Sequence, residues 1–128
     1  MDLLTWMHKN KADYTNTFCY LMDEKFAFEL KYNNKDFLIW KKRWDSRLKL
    51  NNNTQKKYLG LMHSANPLVI PRNHKVEEAL EAANNDNINP IQNLIQVLGN
   101  PYTKHKEINK YQLPNFNEEK EYKTFCGT

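Results

Sequence analysis

The sequence predicts an all-α fold, on three observations. Only three glycines occur in 128 residues, too few for a sheet protein with many tight turns. Apolar residues recur at i, i+3, i+4 and i+7 in one segment after another. Those segments are bounded by Asp, Asn, Pro and Gly, the residues that cap or break helices. The expectation is a small helical domain of about five to six helices over residues 1–101, followed by an irregular C-terminal arm over 102–128. At this length a single domain is expected, with enough buried surface to fold cooperatively without disulfides or metal.

Residues 3–9 form a short first helix: Leu3, Leu4 and Met7 share a face, and Asp2 can accept from the free amides of its first turn. In ADYTNTFCYLMDEK, Tyr14, Thr17, Phe18 and Leu21 repeat at helical spacing behind Asp13 as cap. Cys19 lies beside that stripe, where a small residue reads as packing. FAFELKYNN alternates like a strand but has no pairing partner, so it reads as a connector that lays aromatics on the core. DFLIWKKRWDSRLKL places Phe37, Trp40, Trp44 and Leu48 on one face, with Lys41, Arg43, Asp45 and Arg47 largely on the other.

Asn51-Asn52-Asn53 breaks the chain before a helix carrying Tyr58, Leu61, Met62 and Ala65, which Asn66-Pro67 ends. PLVIPRN is extended, held out of any helix by its two prolines. HKVEEALEAANN then shows Val76, Ala79, Leu80 and Ala83 at ideal spacing. NPIQNLIQVLGNP is the most fully punctuated helix: Asn89 as cap, Pro90 at the first position, Gln92 completing a capping box, Gly99 just past the end. Its expected stripe is Ile91, Leu94, Ile95 and Leu98. Beyond Tyr102 periodicity is lost, and Tyr111, Leu113, Phe116, Tyr122 and Phe125 are isolated anchors in a polar tail.

A net charge of +4 and a pI near 9.0 would suit a polyanion if the lysines shared one face, but acids are interspersed among them. A helix-turn-helix reading fails on VEEALEAANND, because the helix after the rigid turn is acidic and would repel phosphate. No segment reaches the ~20 apolar residues of a membrane span, and the N-terminus lacks a signal-peptide pattern, so a cytoplasmic location with no membrane partner is expected. Gly60, Gly99 and Gly127 cannot build a phosphate loop. His8, His63, His74 and His105 are too scattered for a metal site, and neither Cys19 nor Cys126 belongs to a C-x-x-C pair.

One dense polar cluster sits at a forced backbone position: Arg72-Asn73-His74, between Pro71 and a helix start. It can project toward another surface, with Arg72 offering its fork of donors to a carboxylate or phosphate. Alternatively, Asn73 caps the helix while Arg72 is solvated. The expectation adopted is mixed: Asn73 caps, and Arg72, Asn73 and His74 are candidates for contact with a further domain.

In chain order ADYTNTF, NPLVIPRNHKVEEALEAA, PIQNLIQVLGNPY and YKTFCGT resemble the C-terminal region of the selenoprotein O family. These are pseudokinase-fold proteins that transfer AMP from ATP to hydroxyl groups of Ser, Thr and Tyr in other proteins. The resemblance implies ATP and Mg for the full-length protein, bound in a kinase-like region N-terminal to the part seen here. It implies that this chain is a non-catalytic fragment with no cofactor, metal or catalytic residue of its own. Its partners would be that kinase-like part and, in the full-length context, the protein substrates; nucleic acid is not expected.

The same resemblance makes Cys126 a redox candidate. In several members the third residue from the end is a cysteine or selenocysteine thought to bond to a cysteine of the kinase-like part. One departure is that Cys19 follows Phe18 where the family commonly carries arginine. A domain separated from its partner should also expose an apolar patch larger than a few hundred Å², and a dimer through that face is one way to cover it. The rival reading is an independent basic helical module that binds nucleic acid or an acidic protein.

Overall fold

The computed structural model describes residues 1–26, 30–51 and 54–115, and these contain seven α-helices, two short 3-10 turns and no strand. The all-α class expected from the sequence is what is found. The chain divides into two compact units, Met1–Leu68 and Val69–Thr128.

The first unit holds α1 (Leu3–Lys9), α2 (Tyr14–Met22), 3-10 turns at Glu24–Phe26 and Leu30–Asn33, α3 (Lys35–Leu50) and α4 (Gln55–Ala65). Each of the four helices starts on a capping side chain: Asp2 accepts from the Thr5 amide, Asp13 from Asn16, Asn34 from Asp36 and Phe37, and Thr54 from Lys57. These bonds satisfy first-turn amides that have no partner inside the helix.

The core of this unit is aromatic. Trp6, Tyr20, Tyr32 and Phe37 are buried together with Met7 and Leu21. Trp6 and Phe37 lie with ring centroids 4.6 Å apart, and Tyr20 stacks on Tyr32 at 4.1 Å. The Asn34 Oδ1 that caps α3 also accepts from the Trp6 indole at 3.1 Å, so one oxygen joins α1 to the start of α3. α2 is buried on nearly every side. Its buried Thr17 hydroxyl is satisfied by donating to the Asp13 carbonyl at 2.7 Å, as burial of a polar group requires.

Trp40 stacks on Trp44, and Trp44 meets Tyr58 edge-on, which ties α3 to α4. Phe37, Trp40, Trp44 and Leu48 all face inward to some degree, as their spacing predicts. Lys41 bridges Glu24 at 3.2 Å and Asp45 at 3.4 Å. Burial alone would lower the Lys41 pKa, but the two carboxylates outweigh it and the net direction is up.

The second unit holds α5 (Asn73–Asn84), α6 (Asn89–Gly99) and α7 (Ile108–Gln112). α5 packs on α6, with Ala79, Leu94 and Val97 buried. The third helix was not anticipated: residues from 102 onward read as an irregular arm, yet α7 forms and buries Ile108, Tyr111 and Gln112. Tyr111 is thus an anchor, as expected, but a helical one. Phe116, Tyr122, Phe125 and Cys126 lie outside the described residues.

Several inward faces differ from expectation. In α6, Val97 is buried and Ile95 is 65 % exposed. At 100° per residue the apolar side chains from Pro90 to Leu98 sweep an arc of about 160°, wider than one neighbouring helix covers. Contact with α5 selects the Leu94–Val97 side of that arc. In α4, Leu61 is exposed while Leu59 is half-buried; in α2, Tyr14 is exposed and its ring meets that of Phe18 at a tilt, with centroids 4.9 Å apart. The cap of α6 falls at Ile88 with no side-chain bond, so neither the Asn89 cap nor its capping box with Gln92 forms, and Gly99 is the last helical residue.

Candidate functional site

Pro71 and the extended backbone of Arg72 (φ −94°, ψ 124°) deliver the chain into α5. The helix boundary falls one residue earlier than the Asn73 cap would need: Arg72 occupies the N-cap position, makes no side-chain cap bond, and Asn73 is already helical. Asn73 is exposed, whereas Arg72 and His74 are half-buried.

The Arg72 guanidinium turns back into its own unit. Its Nη2 donates to the Gln112 carbonyl at 3.2 Å, joining the start of α5 to the end of α7. Gln112 itself is fully buried. A charged donor on a helix C-terminal carbonyl is favourable, because the last carbonyls of a helix have no intrahelical partner. Sequence reasoning missed Gln112; the signal available was the i, i+3 pair Ile108 and Tyr111, which marks one turn of helix in an otherwise aperiodic tail.

Burial lowers the His74 pKa below the ordinary imidazole value. Lys75 and Arg72 push it the same way, against Glu78 and Glu77. Of the three cluster residues, therefore, Arg72 supports the fold of the second unit, His74 is held toward its neutral form, and Asn73 is left at the surface.

Beside this cluster a cleft of about 200 Å³ opens among α5, α6 and α7, lined by Lys75, Glu78, Asn93, Leu94, Lys110 and Tyr111. Its two lysines are engaged: Lys75 with Glu78 at 2.8 Å and Lys110 with Glu107 at 3.0 Å. Lys110 also sits 5.1 Å from the Tyr111 ring centre. On the first unit, α3 carries an open groove of about 470 Å³ lined by Ile39, Lys42, Arg43, Ser46, Arg47 and Leu50.

Of the two cysteines, Cys19 is completely buried, with Sγ 3.7 Å from the Pro67 carbonyl and 3.8 Å from that of Leu68. This is a packed structural thiol. Cys126 lies outside the described residues. Among the described residues no group of three or more His, Cys, Asp or Glu could hold a metal ion, and no helix is long and apolar enough to cross a membrane.

A family model described as protein adenylyltransferase SelO matches residues 1–99. A protein nucleotidyltransferase YdiU of Pelagibacter ubique is 46% identical over 128 residues, covering 100% of this chain and 26% of the relative. Proteins of the same name from Alcanivorax borkumensis (44% over 128 residues; 99% of this chain, 26% of the relative) and Nitrosococcus oceani (42% over 127 residues; 98% and 26%) are also similar. No solved structure matches. These relatives define the class as protein nucleotidyltransferases. The chain belongs to the SelO family of protein adenylyltransferases, and it spans about a quarter of the length of the curated relatives it matches.

Proposed function

We propose that this chain is the non-catalytic, C-terminal helical segment of a longer SelO-type adenylyltransferase, and that it packs on a kinase-like core. The observation that carries this reading is the coverage: the identity runs through the whole chain but accounts for 26% of the relative from P. ubique. In the full-length protein AMP would pass from ATP, with Mg²⁺, to Ser, Thr or Tyr hydroxyls of protein substrates. In this reading no step of AMP transfer is routed through the residues of this chain.

A second function rests on the tail. Cys126 would form a disulfide with a cysteine of the kinase-like part, the two thiols giving up two electrons and two protons to a disulfide oxidant such as oxidised glutathione. In the full-length protein Cys126→Ser should abolish the oxidant-dependent shift in gel mobility and any oxidant-dependent change in activity. An unchanged shift in that variant removes the redox role.

The packing role is tested by expressing this chain together with the remaining three-quarters of the P. ubique relative as a separate polypeptide. Co-purification at one-to-one stoichiometry is the expected result. Two polypeptides that stay apart under all salt conditions would overturn the reading. The rival, a free nucleic-acid-binding module, predicts instead that the chain binds random duplex DNA with log affinity falling steeply as log salt rises.

A further inference from the structure

The α3 groove is lined by residues that share one face of one helix. Isolated exposed apolar residues are ordinary, but Ile39 (52 % exposed) and Leu50 (76 %) sit at the two ends of one stripe on one helix. Between them the stripe continues through Arg43, Ser46 and Arg47 at i+4, i+7 and i+8 from Ile39, with Lys42 alongside. The eleven steps from Ile39 to Leu50, at 1.5 Å each, give a length of about 16 Å, or three turns. Phe37, Trp40 and Trp44 occupy a different side of α3 and belong to the core, so the groove is not needed to hold this unit together.

The chemistry of the lining is one-signed. Its charged residues are Lys42, Arg43 and Arg47, with no carboxylate among the lining residues. The Asp45 carboxylate of the same helix is held by Lys41, and Asp36 lies in the first turn ahead of the groove. Ser46 donates its hydroxyl to the Lys42 carbonyl at 2.9 Å, which leaves the floor to Ile39, Leu50 and the methylene stems of the cations. Arg43 is braced by its bond to the Met1 carbonyl at 2.6 Å, so one side of the rim is fixed in place.

We infer that this groove seats an acidic amphipathic helix contributed by the rest of the full-length protein. The inference rests on the segment reading above. Two observations select this occupant. An apolar floor with a cationic rim fits a helix that presents apolar side chains flanked by Asp or Glu, and a phosphate backbone would leave Ile39 and Leu50 uncovered. The relatives carry about three-quarters of their length outside the part matched here, which is ample chain to supply such a helix, so a second copy is not required.

The test uses the full-length P. ubique relative with a photo-crosslinking benzophenone amino acid at the position matching Ile39. The expected product is an intramolecular crosslink into a segment outside the matched quarter whose sequence is helical in period and carries Asp or Glu beside its apolar stripe. A crosslink into a second copy, into a basic or neutral segment, or no crosslink in protein that instead binds anionic lipid vesicles through this face would each overturn the inference.

The captured segment, made as a peptide, is then titrated into the present chain. Arg47→Glu or Leu50→Asp should weaken it about tenfold or more, while Leu61→Asp, exposed on α4, should change it less than about twofold. Equal effects at all three positions would contradict the inference. Circular dichroism of each exposed-site variant shows whether it is folded. Failure of the two polypeptides to co-purify sinks the segment reading, whereas a crosslink to the wrong segment sinks the groove alone.

Discussion

In the first unit the N-cap residue of every helix bonds the first turn through its side chain, and in the second unit no N-cap residue does. Asp2, Asp13, Asn34 and Thr54 cap α1 to α4, while Arg72, Ile88 and Glu107 stand at the N-cap positions of α5 to α7 without a cap bond. The interiors differ in the same sense. One is a set of interlocked rings; the other is a helix pair closed around Ala79, Leu94 and Val97 and tied to α7 by Arg72. Where local bonds define each helix, the core can use large rigid groups that need exact placement. Where they do not, proline pre-setting of the backbone at Pro71 and Pro90 and close packing of small and aliphatic side chains carry the burden.

Substitutions can break that contrast at several depths. Phe37→Ala should cost most, about 3–5 kcal/mol, because it opens a cavity between Trp6, Tyr20, Tyr32 and Trp40; urea unfolding of the purified chain reads it. A loss below about 1 kcal/mol would mean that the aromatic cluster is not the stabilising centre of the first unit.

Ala79→Leu tests the second unit, where close approach of α5 and α6 leaves little space, and overpacking should cost about 1–3 kcal/mol by the same measurement. Asp13→Ala should cost about 1 kcal/mol through loss of the α2 cap. By contrast Ile88→Asp should gain less than about 0.5 kcal/mol, because residue 88 has helical backbone angles and a cap side chain works from extended ones. A gain as large as the Asp13 loss would erase the distinction between the units.

The smallest expected effect concerns pH. Burial holds the folded-state pKa of His74 below its unfolded value, with Lys75 adding to the shift. The unfolded chain therefore takes up the proton first as pH falls, so this stabilising contribution is full above the ordinary imidazole pKa and is lost as pH drops through it toward the folded value. His74→Gln should flatten that part of the stability curve below neutrality. A steeper curve in the variant would reverse the sign and contradict the assignment.

How much of this could be read from the sequence follows from the same contrast. Asp2 and Asp13 were legible as caps because each stands directly before a periodic run, and the core face of α3 was legible because Phe37, Trp40 and Trp44 leave no other arrangement for three large rings. Asn89 misled: the helix starts one residue earlier than its proline suggests, at the turn through Asn87, whose side chain accepts from the Asn89 amide, and Gly99 is still helical. The inward side of α6 depended on where α5 lies, which periodicity cannot supply. α7 is short, and its burial comes from tertiary contact rather than from local pattern. In the site, Arg72 was expected to be solvated or to reach toward a further domain, whereas its guanidinium bonds a carbonyl of its own unit 40 residues away, a partner that leaves no local trace.

The central proposal is that these 128 residues are a structural segment and carry no AMP-transfer chemistry of their own. The most direct measurement incubates the purified chain with α-labelled ATP, Mg²⁺ and a mixture of acceptor proteins, beside the full-length P. ubique relative. The account predicts label on protein in the full-length reaction and none above the no-enzyme blank with the chain alone. Label transferred by the isolated chain, and lost when ATP is replaced by ADP, would contradict it.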